Sequence, residues 1–590
     1  MAEGRSGWER RLGPRARAFV SAPPRWWSWL ALAVLLLAGA ALLIYETRGT
    51  FFWADEWQWI LTRRGGGLNT FLQPHNQHFS LVPITLYKLL FAIVGLRHYW
   101  PYRGLLIGVE VICTLLIFLY ARQRVGSYYA LLAAALILFF GPGWQDILWP
   151  FQTAWILCVL GGVGALLALD RDDRAGDIGA CLLLGLSLAS SSPGLAVAAG
   201  LIVEVLLARR RRDLWIVAIP VALYALWWVT YQQTVFNRHA LLLLPQFVFN
   251  SAAGTLSALT GLAQINPYND GSGDFLSWGA PLLVLALALA IWRLRVLRRI
   301  PPRVLTLSTI LLAFWLLTGV GRAYVSVGSL TLTSTGDESR YLFIGAVFVV
   351  LLIVELANRR AIARPAMAAG IGVLAAAAIL SNLGPLQAGA GLLQSQAQYT
   401  EAELGTLNLS RPIVAPGYVS QGFIFGIVKA RDWFAAEKAL GAPPLSPALL
   451  AQQPEFARQA ADSQLVRIQN LAPRGTSTST PPGATPPSVD AVASGTDSVS
   501  SGCVSFRPTA YTPSGVVNSL TVTVAPGGLL VRSGAAEATV SVRRFGSQFL
   551  TLGTVAPGAG ATLVIKPDLA PQPWHAQVTA ASSFSVCSLG

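Results

Sequence analysis

Charge is what this sequence has least of. Only 12% of its 590 residues are Asp, Glu, Lys or Arg, against about 25% in soluble globular proteins. Hydrophobic residues make up 54%, and the mean hydropathy is +0.54. That balance excludes an ordinary soluble enzyme, a disordered chain and a fibrous protein. Cysteine is scarce as well. There are five, with no CxxC and no Cys/His metal spacing, so the usual structural zinc patterns are excluded. No P-loop, Rossmann glycine pattern or HExxH is present. Acidic residues inside the apolar runs are few, with Glu110 and Glu204 the main ones. That argues against an ion-coupled transporter, whose spans carry such groups near the midplane. No small-residue cleavage site follows the first apolar run, so it reads as a span and not as a signal peptide.

What the chain does have is a series of apolar runs. They lie at 27–44, 104–120, 127–140, 153–169, 178–191, 194–208, 214–231, 277–292, 304–320, 341–357 and 366–383. A further run, 79–95, contains Pro83 and Lys88. The net charge is +15 and the pI about 10.0, but the arginines cluster in short runs between the apolar segments. The positive-inside rule explains them better than nucleic acid does. If 79–95 lies in the interface, Arg122/Arg124, Arg171/Arg174, the 209–212 run, the 293–303 run and Arg359/Arg360/Arg364 all fall on the cytoplasmic side. If it spans, they all fall outside. The expectation is an α-helical polytopic membrane protein with eleven spans and a cytoplasmic N-terminal segment, 1–26. Residues 79–95 form an amphipathic helix on the outer face. Outer segments are then 45–103, 141–152, 232–276 and 321–340, and the tail after about 384 is extracytoplasmic.

The tail divides by composition. Residues 384–473 mix helical stretches and loops. Residues 474–501 are rich in Ser, Thr, Pro and Gly and read as a linker or long loop. Residues 502–590 alternate apolar and polar between turn residues, the pattern of a small antiparallel β-sandwich. Cys503 and Cys587 bracket that domain, which suggests a disulfide and an oxidising compartment. Such a domain is either a structural cap or a carbohydrate-binding module, with Tyr511 and Trp574 the stacking candidates.

Several polar residues sit where chemistry could occur. Asp55 and Glu56 follow the first span among Trp53, Trp57 and Trp59. Partial desolvation there suits a general base; the alternative is a solvated acidic pair. His75 and His78, three apart, would share one helical face. They would hold a metal with Asp55, contact a phosphate or hydroxyl, or simply belong to a polar loop. Asp146 lies between Trp144 and Trp149, facing an acceptor sugar or anchoring an interfacial loop. Arg322 and Arg340 lie at outer span ends, against the charge trend, with Tyr341 beside them. An anionic lipid phosphate would explain them, as would pairing with nearby carboxylates. Asp170, Asp172 and Asp173 in LDRDDR read as a solvated cytoplasmic turn, and not as a nucleotide-sugar motif.

An acidic motif directly after the first span, the HNQHFSLVP segment running into an interfacial helix, and SRYLF opening a late span resemble the GT-C integral-membrane glycosyltransferases. The resemblance covers 27–383 in layout. It implies sugar transfer from a polyprenyl-phosphate-linked donor to a cell-envelope glycan or glycolipid on the outer face of the plasma membrane, with inversion. Asp55 would be the base. Glu56, His75 and His78 would orient the acceptor or hold a divalent ion, Mg or Mn. Arg322, Arg340 and Tyr341 would take the donor phosphate, and Asp146 would stand on the acceptor side. GT-C members with a later acidic motif have Asp337-Glu338 as its counterpart here. The Ala/Leu/Arg-rich, Lys-poor composition resembles that of actinobacterial chains, which points to arabinosyl or mannosyl transfer. The rival readings are a flippase for lipid-linked glycans, a non-catalytic membrane protein with a glycan-binding outer domain, and a ligase using a diphosphate donor.

Overall fold

The computed structural model describes residues 26–207, 211–231, 238–263, 276–327, 330–357, 364–420, 428–443, 445–475, 484–500, 502–509 and 518–589. Contacts divide the chain into two units. One comprises Met1–Arg48, Arg63–Leu90 and Trp100–Leu393; the other comprises Gly49–Thr62, Phe91–Tyr99 and Gln394–Gly590.

The first unit is a helical body. Among the described residues, eight helices are long and apolar enough to cross a membrane, or nine if the bent pair Ser127–Leu138 and Gly141–Leu148 counts as one span. Three helices expected to span are shorter: Arg174–Ser190, Gly194–Leu207 and Trp215–Tyr231. Leu81–Ile93 is a 13-residue helix, far below the roughly 20 residues a span needs. The Thr153–Leu169 helix is buried on nearly every side, which makes it the centre of the bundle. Its glycines allow that. A Cβ on Gly161 would lie 2.6 Å from the Leu183 carbonyl oxygen, so the Arg174–Ser190 backbone packs directly on it.

One helix was not expected. His239–Leu259 lies within the segment assigned above to a polar outer loop. It contains Pro245 and is apolar enough to pass as a span. Its neighbours argue for a crosswise course. Leu244 meets Gly319, Ala253 meets Gly279, and Thr255 meets Gly345. Asn382 donates to the Ala258 carbonyl at 3.1 Å. Gly279, Gly319 and Gly345 each lie within two turns of a helix end. The helix therefore runs across several neighbours rather than alongside one of them.

Another group of helix ends is tied together by charge. Arg124 pairs with Glu355 and, at 2.9 Å, with Asp170. Arg303 reaches Asp170 at 2.7 Å and Glu204 at 3.2 Å. Asp170 is thus no bystander in a solvated turn: it joins the 100–125 and 302–322 helices to the end of the central one.

In the second unit the segment after the first span folds against the Ala430–Leu440 helix. The Trp57 and Trp433 rings lie 6.0 Å apart. The Leu96 amide donates to the Leu440 carbonyl at 3.0 Å. Gly95 makes that approach with φ +59°, and a Cβ there would collide with the same carbonyl.

The β-region forms two five-stranded antiparallel sheets. In chain order its strands are β3 (Val489–Ala493), β4 (Gly495–Ser500), β5 (Cys503–Pro508), β6 (Ser519–Val524), β7 (Leu529–Ser533), β8 (Ala538–Arg543), β9 (Leu550–Val555), β10 (Gly560–Leu563), β11 (Trp574–Ala580) and β12 (Phe584–Ser588). The numbering follows a small hairpin, β1 (Tyr324–Val327) and β2 (Leu330–Thr333), in the first unit. The sheet orders are β10-β7-β12-β5-β4 and β3-β6-β11-β8-β9. Val531, Val586 and Phe506 of one sheet share a single buried core with Val522, Val540 and Val578 of the other.

Two expectations change here. The Ser/Thr/Pro/Gly stretch is not all linker: it supplies β3 and β4, an edge strand to each sheet. Ser494, with φ +54°, carries the chain from one edge to the other. Trp574 is 2% exposed and packs in the core, so it offers no face to a sugar. Tyr511 lies outside the described residues.

The Glu455–Gln469 helix is fastened to the sheets by one buried carboxylate. Asp462 accepts from the amides of Arg544, Phe545 and Gly546 at 2.8–2.9 Å. Asp462→Ala leaves three amides without that acceptor, at about 1 kcal/mol or more each. We expect a loss of about 3 kcal/mol of stability in this unit, read as an earlier thermal transition of the full-length protein. An unchanged transition would mean that the amides find other acceptors.

Candidate functional site

His75 and His78 do not share a helical face. The His75 amide donates to the His78 carbonyl at 3.1 Å, and the His78 amide donates back at 2.8 Å. Between them Asn76 and Gln77 take φ +47° and +70°. That is the geometry of a type I′ turn, and asparagine suits its first central position. Glutamine at the second costs about 1 kcal/mol. Strain of this kind persists only where the surroundings hold it.

Arg322 is one of the holding groups. It ends the Pro302–Arg322 helix, and its Nη2 donates to the Asn76 carbonyl at 2.9 Å. The same nitrogen lies 3.3 Å from His78 Nε2. A guanidinium only donates, so Nε2 accepts and the His78 proton sits on Nδ1. Burial, then Arg63 and Arg322, push His75 down to about 3. Enclosure, followed by Arg322, His75 and Arg340, holds His78 well below its usual value. Both imidazoles are therefore neutral in the physiological range, and the positive charge around the turn belongs to arginines.

That charge opposes a metal. Among the described residues no group of three or more His, Cys, Asp or Glu side chains could hold an ion. Of the expected set, His75 and His78 lie in the first unit and Asp55 in the second. Neutral imidazoles ringed by arginines suit an anion instead.

Beside the turn is a cavity of about 170 Å³, walled by His78, Trp155, Tyr224, Phe314, Arg322 and Tyr341 among others. Tyr224, whose hydroxyl lies 3.1 Å from Ser192 Oγ, also lines a second cavity. This one holds about 510 Å³ and is walled mainly by apolar side chains, including Phe79, Leu188, Leu223 and Trp227. Trp155 and Tyr341 face each other with ring centres 5.9 Å apart.

The crystal structure of ArnT from Cupriavidus metallidurans in the apo state is similar to this chain. The match covers 70% of this chain and 84% of that one, with a TM-score of 0.41 and 13% identity. No protein-family model matches the chain, and no curated protein does.

The remaining candidates fall in different places. Arg340 lies over the Tyr341 ring at 5.1 Å, and its charge acts on both His78 and Asp146. Asp146 is completely buried. Among the described residues neither of its carboxylate oxygens has a hydrogen-bond partner. It sits inside the packing. Asp337 and Glu338 are engaged locally: Thr335 donates to Asp337, and the Gly336 amide donates to Glu338 at 3.1 Å.

Asp55 and Glu56 belong to the second unit. Glu56 is fully buried. Its Oε2 accepts from the Trp53 amide and from the Tyr99 hydroxyl, both at 2.9 Å. A glutamate reaching back three residues at a helix start is half of a capping box. Asp55 opens the Asp55–Thr62 helix and is half-buried.

One residue was overlooked. Arg63 is 3% exposed, and its Nη2 donates to the Pro74 carbonyl at 2.9 Å. The signal was available: Arg63 is another arginine in a segment that the charge pattern assigns to the outer side, the same feature that singled out Arg322 and Arg340.

Proposed function

We propose that this chain is an integral-membrane glycosyltransferase of GT-C type, moving a sugar from a polyprenyl-phosphate-linked donor to a cell-envelope glycan or glycolipid. The observation that carries this reading is the pair of cavities that have Tyr224 as a shared wall. One offers a guanidinium, a neutral imidazole and aromatic walls; the other offers apolar walls. A sugar on a lipid phosphate has those chemical parts in that order. Arg322 would take the phosphate, with its side chain fixed by the Asn76 carbonyl and by His78 Nε2. Trp155 and Tyr341 would stack on the sugar and exclude water. Arg340, which lies over the Tyr341 ring, would add a second positive charge near the turn.

In the transfer the acceptor hydroxyl oxygen forms a bond to the anomeric carbon from the face opposite the phosphate. The carbon–oxygen bond to the phosphate breaks, and its electron pair stays on the phosphate. The hydroxyl proton goes to a base. Asp55 is proposed for that role on its position in the sequence, directly after the first span. Negative charge builds on the leaving phosphate, and Arg322 stabilises it as it forms. Arabinose and mannose are the sugars to try first, on the outer face.

The test is transfer in proteoliposomes with labelled polyprenyl-phosphate sugars and a cell-wall glycan acceptor. Arg322→Gln is expected to lower kcat/KM about 100-fold, the scale for losing one preorganised donor to a developing charge. Failure of well-folded wild-type protein to transfer from any donor would discard the enzyme reading.

A further inference from the structure

Several enclosed arginines among the described residues are met by carboxylates. Arg124 has Glu355 and Asp170. Arg303 has Asp170 and Glu204. Arg544 has Asp568 at 2.6 Å. Arg63 is buried to 3% exposure, yet no carboxylate pairs with it among the described residues. Its Nη2 is used by the Pro74 carbonyl, while Nε and Nη1 are sealed from solvent with no hydrogen-bond partner. The titratable groups beside it are the neutral imidazole of His75 and the ammonium of Lys88. Lys88 Nζ is already occupied by the carbonyls of Arg63 and Gly65 and by Thr70.

Holding one carbonyl does not explain such a residue, since a neutral donor would do that without burying a charge. An unpaired buried charge is strongly destabilising. A site keeps one when a ligand supplies the opposite charge.

We infer that Arg63 and His75 form an anion-binding position at the His75 end of the turn, whose ligand is a phosphoryl group. A guanidinium N–H left unused by Pro74 can donate to a phosphoryl oxygen while the charge faces the anion. His75 stays neutral beside it, so it adds a hydrogen bond without charge. Arg322 serves the His78 end, and the turn thereby presents one arginine to each imidazole. The phosphoryl group comes from a lipid phosphate or from free phosphate, and both are chemically equivalent at this position. The inference concerns binding and does not depend on sugar transfer.

The experiment uses full-length protein in nanodiscs of zwitterionic lipid, comparing wild type with Arg63→Met and Arg63→Lys. Thermal unfolding is followed alone, with inorganic phosphate, with pyrophosphate and with farnesyl phosphate. Without an anion, Arg63→Met is expected to melt at or above wild type, because the unpaired charge is gone. At least one of the anions should stabilise wild type, and its affinity should fall at least tenfold in Arg63→Met. Arg63→Lys should recover part of it. A farnesyl phosphate effect without an inorganic phosphate effect would identify the lipid as the source; both together would identify the phosphoryl group alone. If Arg63→Met melts below wild type and keeps the wild-type anion response, Arg63 is a structural residue and the inference is wrong. The same follows if none of the anions stabilises wild type.

Discussion

Asp55→Asn is expected to lower sugar transfer about 1,000-fold, within the range for loss of a general base, while leaving the melting temperature unchanged. Glu56→Gln should do the reverse, lowering stability by about 1–3 kcal/mol and reducing rate only as far as the fold is loosened. The two carboxylates are adjacent, and in the sequence nothing separates them. The structure does. Glu56 is wholly buried, with one oxygen held between the Trp53 amide and the Tyr99 hydroxyl. Tyr99 in turn packs on Phe52 with ring centres 4.6 Å apart. A carboxylate fixed in this way holds the 49–62 segment to the 91–99 segment. Asp55 is one residue earlier, half-buried, on a backbone that enters the helix through Ala54 at φ +46°. Glutamine at 56 keeps one acceptor oxygen for the amide and the phenol but loses the charge that strengthens both bonds and turns the second oxygen into a donor inside a buried site. Asparagine at 55 keeps the shape and removes the basic oxygen. Transfer and thermal unfolding measured on both variants separate the roles. Loss of transfer in Glu56→Gln at wild-type stability would move the base to Glu56. Retention of transfer in Asp55→Asn within about tenfold would remove Asp55 from the chemistry.

The long apolar runs were legible because burial in lipid or protein demands them over a fixed length. The helices Trp27–Glu46, Trp100–Val125, Thr153–Leu169 and Ser339–Leu356 lie where those runs predict them. Features that depend on non-local partners were not legible. The His239–Leu259 helix mixes LLLL with a proline and a polar second half, a composition that fits a loop as readily as a crosswise helix. Asp170 looked solvated because Arg303, one of its partners, is 133 residues away. Strands β3 and β4 escaped notice because edge strands need little apolar surface, and their outer faces are exposed. The turn at 75–78 was misread for a different reason. Spacing of i and i+3 brings two residues together both on a helix and across a two-residue hairpin loop. Asn76 was the local hint for the second. Arg322, Tyr341 and His78 did prove to share one cavity, whereas the significance of Arg63 appears only once its unpaired nitrogens are seen.

Breaking the Cys503–Cys587 disulfide should destabilise the two-sheet region by up to about 4–5 kcal/mol. The bond closes a loop of 84 residues, and chain-entropy estimates for loops of that size reach this range. The two cysteines are directly opposite each other on neighbouring strands, with β5 paired to β12 from Phe506↔Phe584 to Cys503↔Cys587. The bond therefore joins strands already in register, and its loss should leave the fold recognisable but weaker. The weakness should be uneven. On its other side β5 has only the edge strand β4, drawn from the Ser/Thr-rich stretch. Strand β12, by contrast, is also paired with β7. Without the disulfide, β4 and β5 should open first, and limited proteolysis of the full-length Cys503→Ser/Cys587→Ser variant should begin between 495 and 508. Equal protease resistance of this variant and wild type would show that the ladder alone suffices. Cys113, Cys158 and Cys181 give an internal control because they sit in the apolar helices, whereas Cys503 and Cys587, buried in the folded domain, become accessible when β4 and β5 open. A membrane-impermeant thiol reagent applied to intact cells after mild reduction should then modify Cys503 and Cys587 ahead of the other three. That order would also fix the side of the membrane on which the tail lies, because an impermeant reagent reaches the outer face alone; an outer tail agrees with the oxidising compartment a disulfide requires.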